Sequence, residues 1–358
     1  MDLDIVAGRG PVVAEPLRTA SDIERLPELD PDSLKPVADG IARILDELTD
    51  QQVLIGFAGA PFTLASYLVE GGPSRNHERT KALMHSEPEL WDTLMRRITP
   101  IVTGFLRAQI DAGIDALQLF DSWAGFLTER DYRRHVLPHS KAIFDEVADA
   151  GVPRIHFGVG TGELLGAMAE AGPEVVGVDW RVPLDDAAAR ISGALAAADP
   201  AGDRAEHARV LQGNLDPAMF FASDAAIEAE VRRICGEADR AIDRGTARGH
   251  IFNLGHGVPP NTDATPSPAP SRWCTNCERR APDRRHRRCR AHRSGRGAPT
   301  APRAGPGRAH HRRGSGRSRR RQAAHGRRRR RPDRGRRRGV PGLPPGRHGL
   351  LHRTGPGR

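Results

Sequence analysis

The stretch VLIGFAGAPFTLASYLVE (residues 53–70) contains the repeating unit of this chain: an apolar run, a cluster of small residues with Pro, and a helical stretch. Five more apolar runs follow it. The six runs cover residues 53–59, 116–120, 154–158, 175–178, 209–213 and 250–254. Apolar runs without polar alternation, separated by helices, are typical of parallel strands buried on both faces. The repeat therefore predicts an α/β fold with a parallel sheet.

The segments between the runs carry helix signals. Apolar residues recur at helical spacing over residues 77–112, with a predicted break near Pro88. Further amphipathic helices are expected over residues 183–198 and 224–244. Every run except the last is thus followed by a helix, as repeated strand–helix units require.

Polar and glycine residues collect at the C-terminal end of every run. These clusters occupy residues 59–61, 121–123, 158–162, 179–180, 214–216 and 255–257. A (β/α)8 barrel gathers all its strand ends around one mouth, where its active site lies. The spacing Gly158-x-Gly160-x-Gly162 does not match a dinucleotide-binding loop, which disfavours a doubly wound nucleotide-binding sheet. We therefore predict an incomplete (β/α)8 TIM barrel that contains six of the eight strands.

The composition changes abruptly near Asp263. Residues 264–358 contain 30 Arg, no Lys and three acids, a formal charge of +27; because the whole chain carries +10, residues 1–263 carry −17. The second segment offers too few large apolar residues to offset the entropy of ordering it. We expect a partial barrel domain over residues 1–263 and a disordered basic tail over residues 264–358. The composition of the tail is typical of GC-rich DNA translated out of frame, which is our hypothesis for its origin.

Cysteine usage and hydropathy indicate the compartment. Cys235 is the only cysteine before residue 264, so no disulfide framework is possible there and a reducing compartment is expected. The N-terminus lacks a basic segment leading into an apolar stretch, and no window approaches about 18 apolar residues. These features predict a soluble cytoplasmic protein.

Six segments, in order, resemble the uroporphyrinogen decarboxylase family. They are GFAGAPFTLASYLVEGG (56–72), LQLFDSWAG (117–125), HFGVGTGELL (156–165), GVDWRVPL (177–184), LQGNLDP (211–217) and FNLGHGVPPNTD (252–263). The resemblance implies a (β/α)8 barrel in which the six runs are strands three to eight. It also implies a carboxy-lyase of porphyrin and haem biosynthesis that converts the four acetate side chains of uroporphyrinogen III to methyls, giving coproporphyrinogen III, without any cofactor. The family is homodimeric and acts on a small tetrapyrrole, so neither a specific nucleic acid nor a membrane is an expected partner.

Two family segments occur nowhere in this sequence. They are Arg-Gln-Ala-Gly-Arg, whose arginines bind substrate carboxylates, and Phe-Ser-Asp-Ile, whose aspartate holds the pyrrole N–H groups. Decarboxylation requires a stabiliser for a transient ring cation and forked donors for a polyanion. The resemblance places the family's catalytic Asp and Arg upstream of Met1. It therefore predicts an N-terminally truncated, inactive fragment in which no catalytic residue is assigned.

Three substrate-binding residues are carried over from the family by position. Tyr67 matches the tyrosine that bonds near the reacting acetate, and Ser122 matches a serine that contacts a substrate carboxylate. Taken alone, such a Tyr is typical of core packing and such a Ser of a helix cap. His256 matches the histidine that meets a carboxylate at the mouth. Its position between two glycines favours function even without the resemblance, because the glycines give it backbone freedom and little packing. The near-neutral titration of histidine suits an anion contact.

Other residues at the strand ends have structural interpretations. Asp121, Asp179 and Asp216 are expected to cap the following helices or to accept loop N–H groups. His156 is expected to be a core histidine. Gly56, Gly59 and Ala60 are expected to allow close approach, either to a ligand or to a neighbouring strand.

The tail supports a rival hypothesis, in which the protein binds zinc and nucleic acid. The candidate ligand motif is Cys274-x2-Cys277-x11-Cys289-x2-His292. This spacing suits tetrahedral Zn²⁺, and five arginines at 327–331 favour nucleic-acid binding. A third hypothesis, a zinc-dependent methyltransferase barrel, needs a thiolate at a strand end. It is disfavoured because Cys235 is predicted to lie within a helix.

Overall fold

The computed structural model of this protein describes residues 3–6 and 10–262. The predicted disordered tail, its Cys/His motif and its arginine run lie outside the described residues. The resemblance places the catalytic Asp and Arg of the family upstream of Met1, which also lies outside the described residues. The placement of these two catalytic residues stays a prediction.

The strands are β1 (Leu3–Val6), β2 (Gly10–Val13), β3 (Ile55–Gly59), β4 (Ala116–Asp121), β5 (Arg154–Gly158), β6 (Val175–Gly177), β7 (Arg209–Leu215) and β8 (Ala247–Leu254). The α-helices are α1 (Ala20–Glu24), α2 (Lys35–Glu47), α3 (Pro61–Glu70), α4 (Glu78–Ser86), α5 (Pro88–Ala112), α6 (Glu129–His135), α7 (Leu137–Glu146), α8 (Leu165–Glu170), α9 (Leu184–Ala198) and α10 (Asp224–Asp243).

Strands β3 to β8 form one six-stranded sheet in which every neighbouring pair is parallel and follows chain order. At least one helix lies between each strand and the next. This is the arrangement of consecutive units of a (β/α)8 barrel. The α/β fold and all six predicted strands are therefore confirmed. Strand β8 begins at Ala247, earlier than the predicted start at His250, because Arg248 and Gly249 interrupt the apolar pattern.

The helices also follow the sequence signals. Residues 77–112 form two helices, and Pro88 occupies the first helical position of α5. Proline suits that position because the first turn leaves its backbone N–H groups unpaired. The helix α10 contains Cys235, as predicted. Among the described helices, none combines the length and apolar character needed to cross a membrane.

An N-terminal hairpin precedes the sheet. Strands β1 and β2 pair with each other in antiparallel fashion. The end of β2 and the chain after it are tied to the C-terminal end of α3. Val13 N–H donates to Gly71 C=O (3.0 Å), and Leu17 N–H donates to Leu68 C=O (2.9 Å). The hairpin is thus held beside the first strand–helix unit without entering the parallel sheet.

The core consists of two adjoining groups of buried residues. One group includes Trp91, Leu106, Leu119 and Phe144, and joins α3 to α7 with strands β3 and β4. The other includes Val176, Ile191, Leu211 and Ile234, and joins α8 to α10 with strands β6 to β8. Helices therefore cover one face of the sheet along its whole width, and the opposite face is left to line the interior.

The edge strand β3 is protected by a side chain from α5. Gln109, which is 4% exposed, accepts a hydrogen bond from Phe57 N–H through Oε1 (2.9 Å) and donates from Nε2 to Phe57 C=O (2.9 Å). The amide thus occupies the donor and acceptor that a further strand would otherwise pair. Unpaired backbone groups on an edge strand promote aggregation. The Gln109 contact therefore protects the edge of the sheet in addition to stabilising β3.

We expect Gln109→Leu to lower the free energy of unfolding by about 1–3 kcal/mol, because both backbone groups of Phe57 lose their partner. Urea unfolding followed by circular dichroism measures the change. The exposed Gln51, changed to Leu in the same way, is the control and should change little. Equal stability of the two variants would show that water replaces the amide without cost.

Candidate functional site

A cavity of about 360 Å³ opens on the inner face of the sheet. Its walls include Ile55 and Phe57 of β3, Gln118 and Phe120 of β4, Phe157 of β5, Gln212 of β7, Asn253 and Leu254 of β8, and His256. Strands β3 and β8 lie at opposite ends of the sheet order. Because both line one cavity, the sheet curves around it as a barrel wall does.

Three phenylalanines form one wall of this cavity. The ring centroids of Phe57 and Phe120 are 5.7 Å apart at 84°, and those of Phe120 and Phe157 are 5.9 Å apart at 85°. Edge-to-face pairs of this kind stabilise aromatic clusters. Phe57 remains 59% exposed, so the wall presents apolar surface to a ligand. Sequence reasoning placed these residues in strands without assigning them to the site.

Two buried glutamines form another part of the lining. Gln212 Nε2 donates to Gln118 Oε1 over 3.0 Å, joining β7 to β4 across the interior. Gln212 Oε1 has no hydrogen-bond partner although it is buried. A buried acceptor without a partner is costly and indicates a position where a ligand donor or water belongs. The signal available in the sequence was an amide side chain inside each of two apolar strands.

His256 lies on the rim of the cavity, just beyond β8. It is exposed, and its ring packs edge-to-face on Trp180, with centroids 5.9 Å apart at 88°. The preceding Gly255 is required here, because a Cβ atom would overlap the backbone of Trp180. The ends of β6 and β8 therefore meet, and this contact positions His256.

Arg181 is a cationic group at the same rim that sequence reasoning missed. Its guanidinium lies 3.8 Å from the centre of the Trp180 ring and pairs with Asp179 Oδ2 at 2.6 Å. Half of its side chain is exposed, whereas Asp179 is only 2% exposed. Trp180 thus contacts both Arg181 and His256, which brings two potential carboxylate-binding groups to the end of β6.

Tyr67 and Ser122 lie beside the ends of β3 and β4. Tyr67, on α3, stacks on Trp123 with ring centroids 4.1 Å apart, and Trp123 directly follows the half-buried Ser122. Both residues lie outside the lining of the 360 Å³ cavity, whereas His256 is part of it. The structure therefore groups Tyr67 with Ser122 and places His256 at the other end of the strand order.

The three strand-end aspartates have different partners. Asp216 caps the 3-10 turn after β7 by accepting Ala218 N–H (2.9 Å), and Asp179 accepts the loop N–H groups of Gly160 and Arg181. Both expectations are confirmed. The expectation for Asp121 is wrong: the Thr63 hydroxyl of α3 donates to its Oδ1 (3.0 Å), so it serves the helix after β3 and not the one after its own strand.

His156 and the β3 glycines pack as structural residues. The ring of His156 is fully buried, and Nδ1 donates to Met168 C=O (3.2 Å), which confirms a core histidine; burial lowers its pKa to about 4. A Cβ atom at Gly56 would overlap the Ile114 side chain, and one at Gly59 would lie 2.8 Å from Leu64. Side chains thus fill the space next to Gly56 and Gly59. Ala60 N–H donates to Phe120 C=O of the neighbouring strand β4 (2.8 Å), which is the expected close approach to a strand.

Burial raises the pKa of the Asp121 carboxyl to about 7, although hydrogen bonds from Thr63 oppose the shift. Oδ2 is buried without a partner, which agrees with a protonated group. Because the folded pKa lies above the ordinary value of 3.8, the folded state holds an extra proton between these values. The free energy of unfolding therefore falls as pH rises through this window, by at most about 1.4 kcal/mol per unit.

We expect Asp121→Asn to remove this dependence. The stability of the variant relative to the native chain should increase between pH 5 and pH 8, measured by urea unfolding at both values. The exposed Asp50, changed to Asn, controls for the loss of one acidic group. A stability difference that stays constant with pH would exclude a proton held by Asp121.

Comparison with known proteins places the chain in a family. The family model described as Uroporphyrinogen decarboxylase (URO-D) matches residues 1–266. The protein named Uroporphyrinogen decarboxylase from Corynebacterium efficiens is 64% identical over 262 residues, covering 73% of this chain and 70% of that protein. Its namesake from Corynebacterium diphtheriae is 64% identical over 261 residues, covering 73% and 71%.

A solved structure supports the fold alone. The methyltransferase from Methanosarcina mazei superposes with a TM-score of 0.53 at 15% sequence identity, covering 73% of this chain and 71% of that one. At a sequence identity this low, the superposition supports a shared fold but not a shared activity. Together with the parallel sheet and the cavity at its strand ends, the match over residues 1–266 shows that this chain belongs to the uroporphyrinogen decarboxylase (URO-D) family.

Proposed function

We propose that the described region binds uroporphyrinogen III and that the chain derives from a carboxy-lyase that removes its four acetate carboxyls, yielding coproporphyrinogen III for haem biosynthesis. The observation that carries the proposal is the cavity of a URO-D family chain with an aromatic wall, a buried unpaired acceptor and a histidine rim. A homodimer, by family resemblance, is part of the proposal.

The chemistry needs no metal or organic cofactor. When a carboxylate leaves as CO2, its electron pair must be accepted, and a pyrrole protonated at its α-carbon accepts it. The ring of the substrate is therefore the electron sink. The protein has to orient the macrocycle, keep water away and stabilise a transient cation. The Phe57, Phe120 and Phe157 wall supplies the apolar surface for the first two tasks.

Gln212 is the residue best placed to orient the ring. Gln212 lines the cavity, its buried Oε1 has no hydrogen-bond partner, and its Nε2 donates to Gln118. A carbonyl oxygen held in this way accepts a pyrrole N–H, and the hydrogen bond satisfies an otherwise unpaired buried group. As a neutral acceptor it orients the ring but contributes little to stabilising a cation.

The substrate carboxylates require donors at the rim. His256 and the half-exposed Arg181 flank Trp180 on the β6–β8 side. Tyr67 and Ser122, which carry hydroxyl groups, lie beside the ends of β3 and β4. Arginine binds carboxylates well through its forked donors, although Arg181 is partly neutralised by Asp179. Four donors on two sides suit a ligand that carries carboxylates around its periphery.

The lining of this cavity, as far as it is described, includes no Asp, Glu, Lys or Arg side chain. The family's arginine segment and aspartate segment do not occur in the printed sequence. The described cavity can therefore hold the ring but lacks an anion to stabilise its protonated form. On this ground we expect binding without turnover.

We predict that the purified chain produces no coproporphyrinogen from uroporphyrinogen III, assayed in a preparation cleared of the host enzyme. A version carrying a relative's arginine and aspartate segments ahead of Met1, and its last helix in place of the tail, should gain activity. In that version Tyr67→Phe and His256→Asn should each reduce kcat/KM. Turnover by the unmodified chain would contradict the prediction.

We further expect Gln212→Leu to weaken binding of uroporphyrin III, the stable oxidised form of the substrate, by roughly 5- to 30-fold, since a lost hydrogen bond costs about 1–2 kcal/mol. Porphyrin absorption reports binding, and excess heparin occupies the basic tail so that it does not capture the ligand. The exposed Gln51→Leu is the matched control. Equal affinity of the two variants would remove Gln212 from the site.

A further inference from the structure

Three side chains with metal-binding atoms meet on the helices, away from the cavity lining. His85 belongs to α4, and Asp131 and His135 belong to α6. Their ligand atoms all lie within 4.8 Å of one another. His85 Nε2 is 3.7 Å from Asp131 Oδ2, and the two histidine rings are 6.0 Å apart between centroids, at 84°.

The backbone holds two of these residues in fixed positions. Asp131 and His135 are four residues apart on one helix, so their side chains project from the same face. The helix start is secured by the Thr128 hydroxyl, which accepts Asp131 N–H at 3.1 Å. At the other end, Trp91 Nε1–H donates to His135 C=O at 3.0 Å, and Trp91 is only 1% exposed.

We propose that His85, Asp131 and His135 form a binding site for one divalent transition-metal ion, with Zn²⁺ as the expected occupant. Two imidazole nitrogens and one carboxylate oxygen are ligands that zinc accepts, with a water molecule in the fourth position. The same donors also suit other borderline ions, which follow the usual order of divalent affinities. The site is separate from the proposed tetrapyrrole cavity and does not depend on its function.

The geometry requires only a small adjustment. Zinc bonds of roughly 2.0–2.2 Å separate tetrahedral ligand atoms by about 3.4 Å, and the His85–Asp131 pair is already at 3.7 Å. The His85 side chain is 52% exposed, so its ring can turn toward the ion and the ion has a path from solvent.

Metal binding at this position would join successive units of the sheet. Helix α4 lies between β3 and β4 in the chain, and α6 lies between β4 and β5. An ion held by both helices links them, and ligand binding to the native state raises stability by mass action. The expected role is therefore structural stabilisation.

The experiment uses the full, untagged chain after removal of metal with a chelator. Cys274→Ser and Cys277→Ser are introduced first, because the tail motif could bind zinc independently. In this background zinc is titrated calorimetrically, and thermal unfolding is recorded with and without zinc. His85→Gln and His135→Gln remove ligands, whereas His139→Gln removes a neighbouring histidine that contacts Asp92 at 3.4 Å, outside the cluster.

We expect one zinc ion per chain and a higher Tm with zinc in the background chain and in His139→Gln. The two ligand variants should lose affinity by more than the roughly 10- to 100-fold that loss of an outer partner costs. Their Tm without metal should match that of the background, which shows that they fold. Bound Co²⁺ should show no thiolate charge-transfer band. No zinc uptake, or uptake unaffected by either ligand variant, would overturn the proposal.

Discussion

Parallel pairing of successive strands is the constraint on which this structure depends. Strands β3 to β8 pair in chain order, so all six C-terminal ends lie at one edge. Helices cover the outer face, and the inner face curves until β3 and β8 line the same cavity. The Gln212–Gln118 hydrogen bond crosses this interior, and Gln109 satisfies the exposed edge of β3. The pairing of the parallel strands in chain order therefore determines both the fold and the position of the cavity.

Electrostatics explains why the rim donors matter. Residues 1–263 carry a formal charge of −17, which disfavours approach of a ligand with many carboxylates. Specific donors must offset this repulsion locally, and Arg181 and His256 at Trp180 are positioned to do so. The basic tail (residues 264–358) carries a formal charge of +27 and would attract the same ligand non-specifically. Affinity for a porphyrin is therefore informative only when the contribution of the tail is suppressed.

The polar clusters of the described region differ in chemistry. The cavity combines neutral amides, aromatic rings and a rim histidine, which suits an organic ring. The His85, Asp131 and His135 cluster combines imidazoles with a carboxylate, which suits a metal ion. Asp121 belongs to neither, because its raised pKa and its bond to Thr63 make it a buried structural acid. Proximity to a strand end alone does not assign a residue to the site.

The sequence by itself determined the six strands, the helix break at Pro88 and the family, because apolar periodicity, proline stereochemistry and long motifs are local properties of the chain. It also singled out His256 through its flanking glycines. Only the tertiary structure decided which side chains meet. Asp121 and Thr63 are separated by 58 residues, and Gln212 and Gln118 by 94, so no local pattern connects them. Their contacts arise because the curved sheet brings distant strands together, and a side chain's role depends on the neighbours that this curvature supplies.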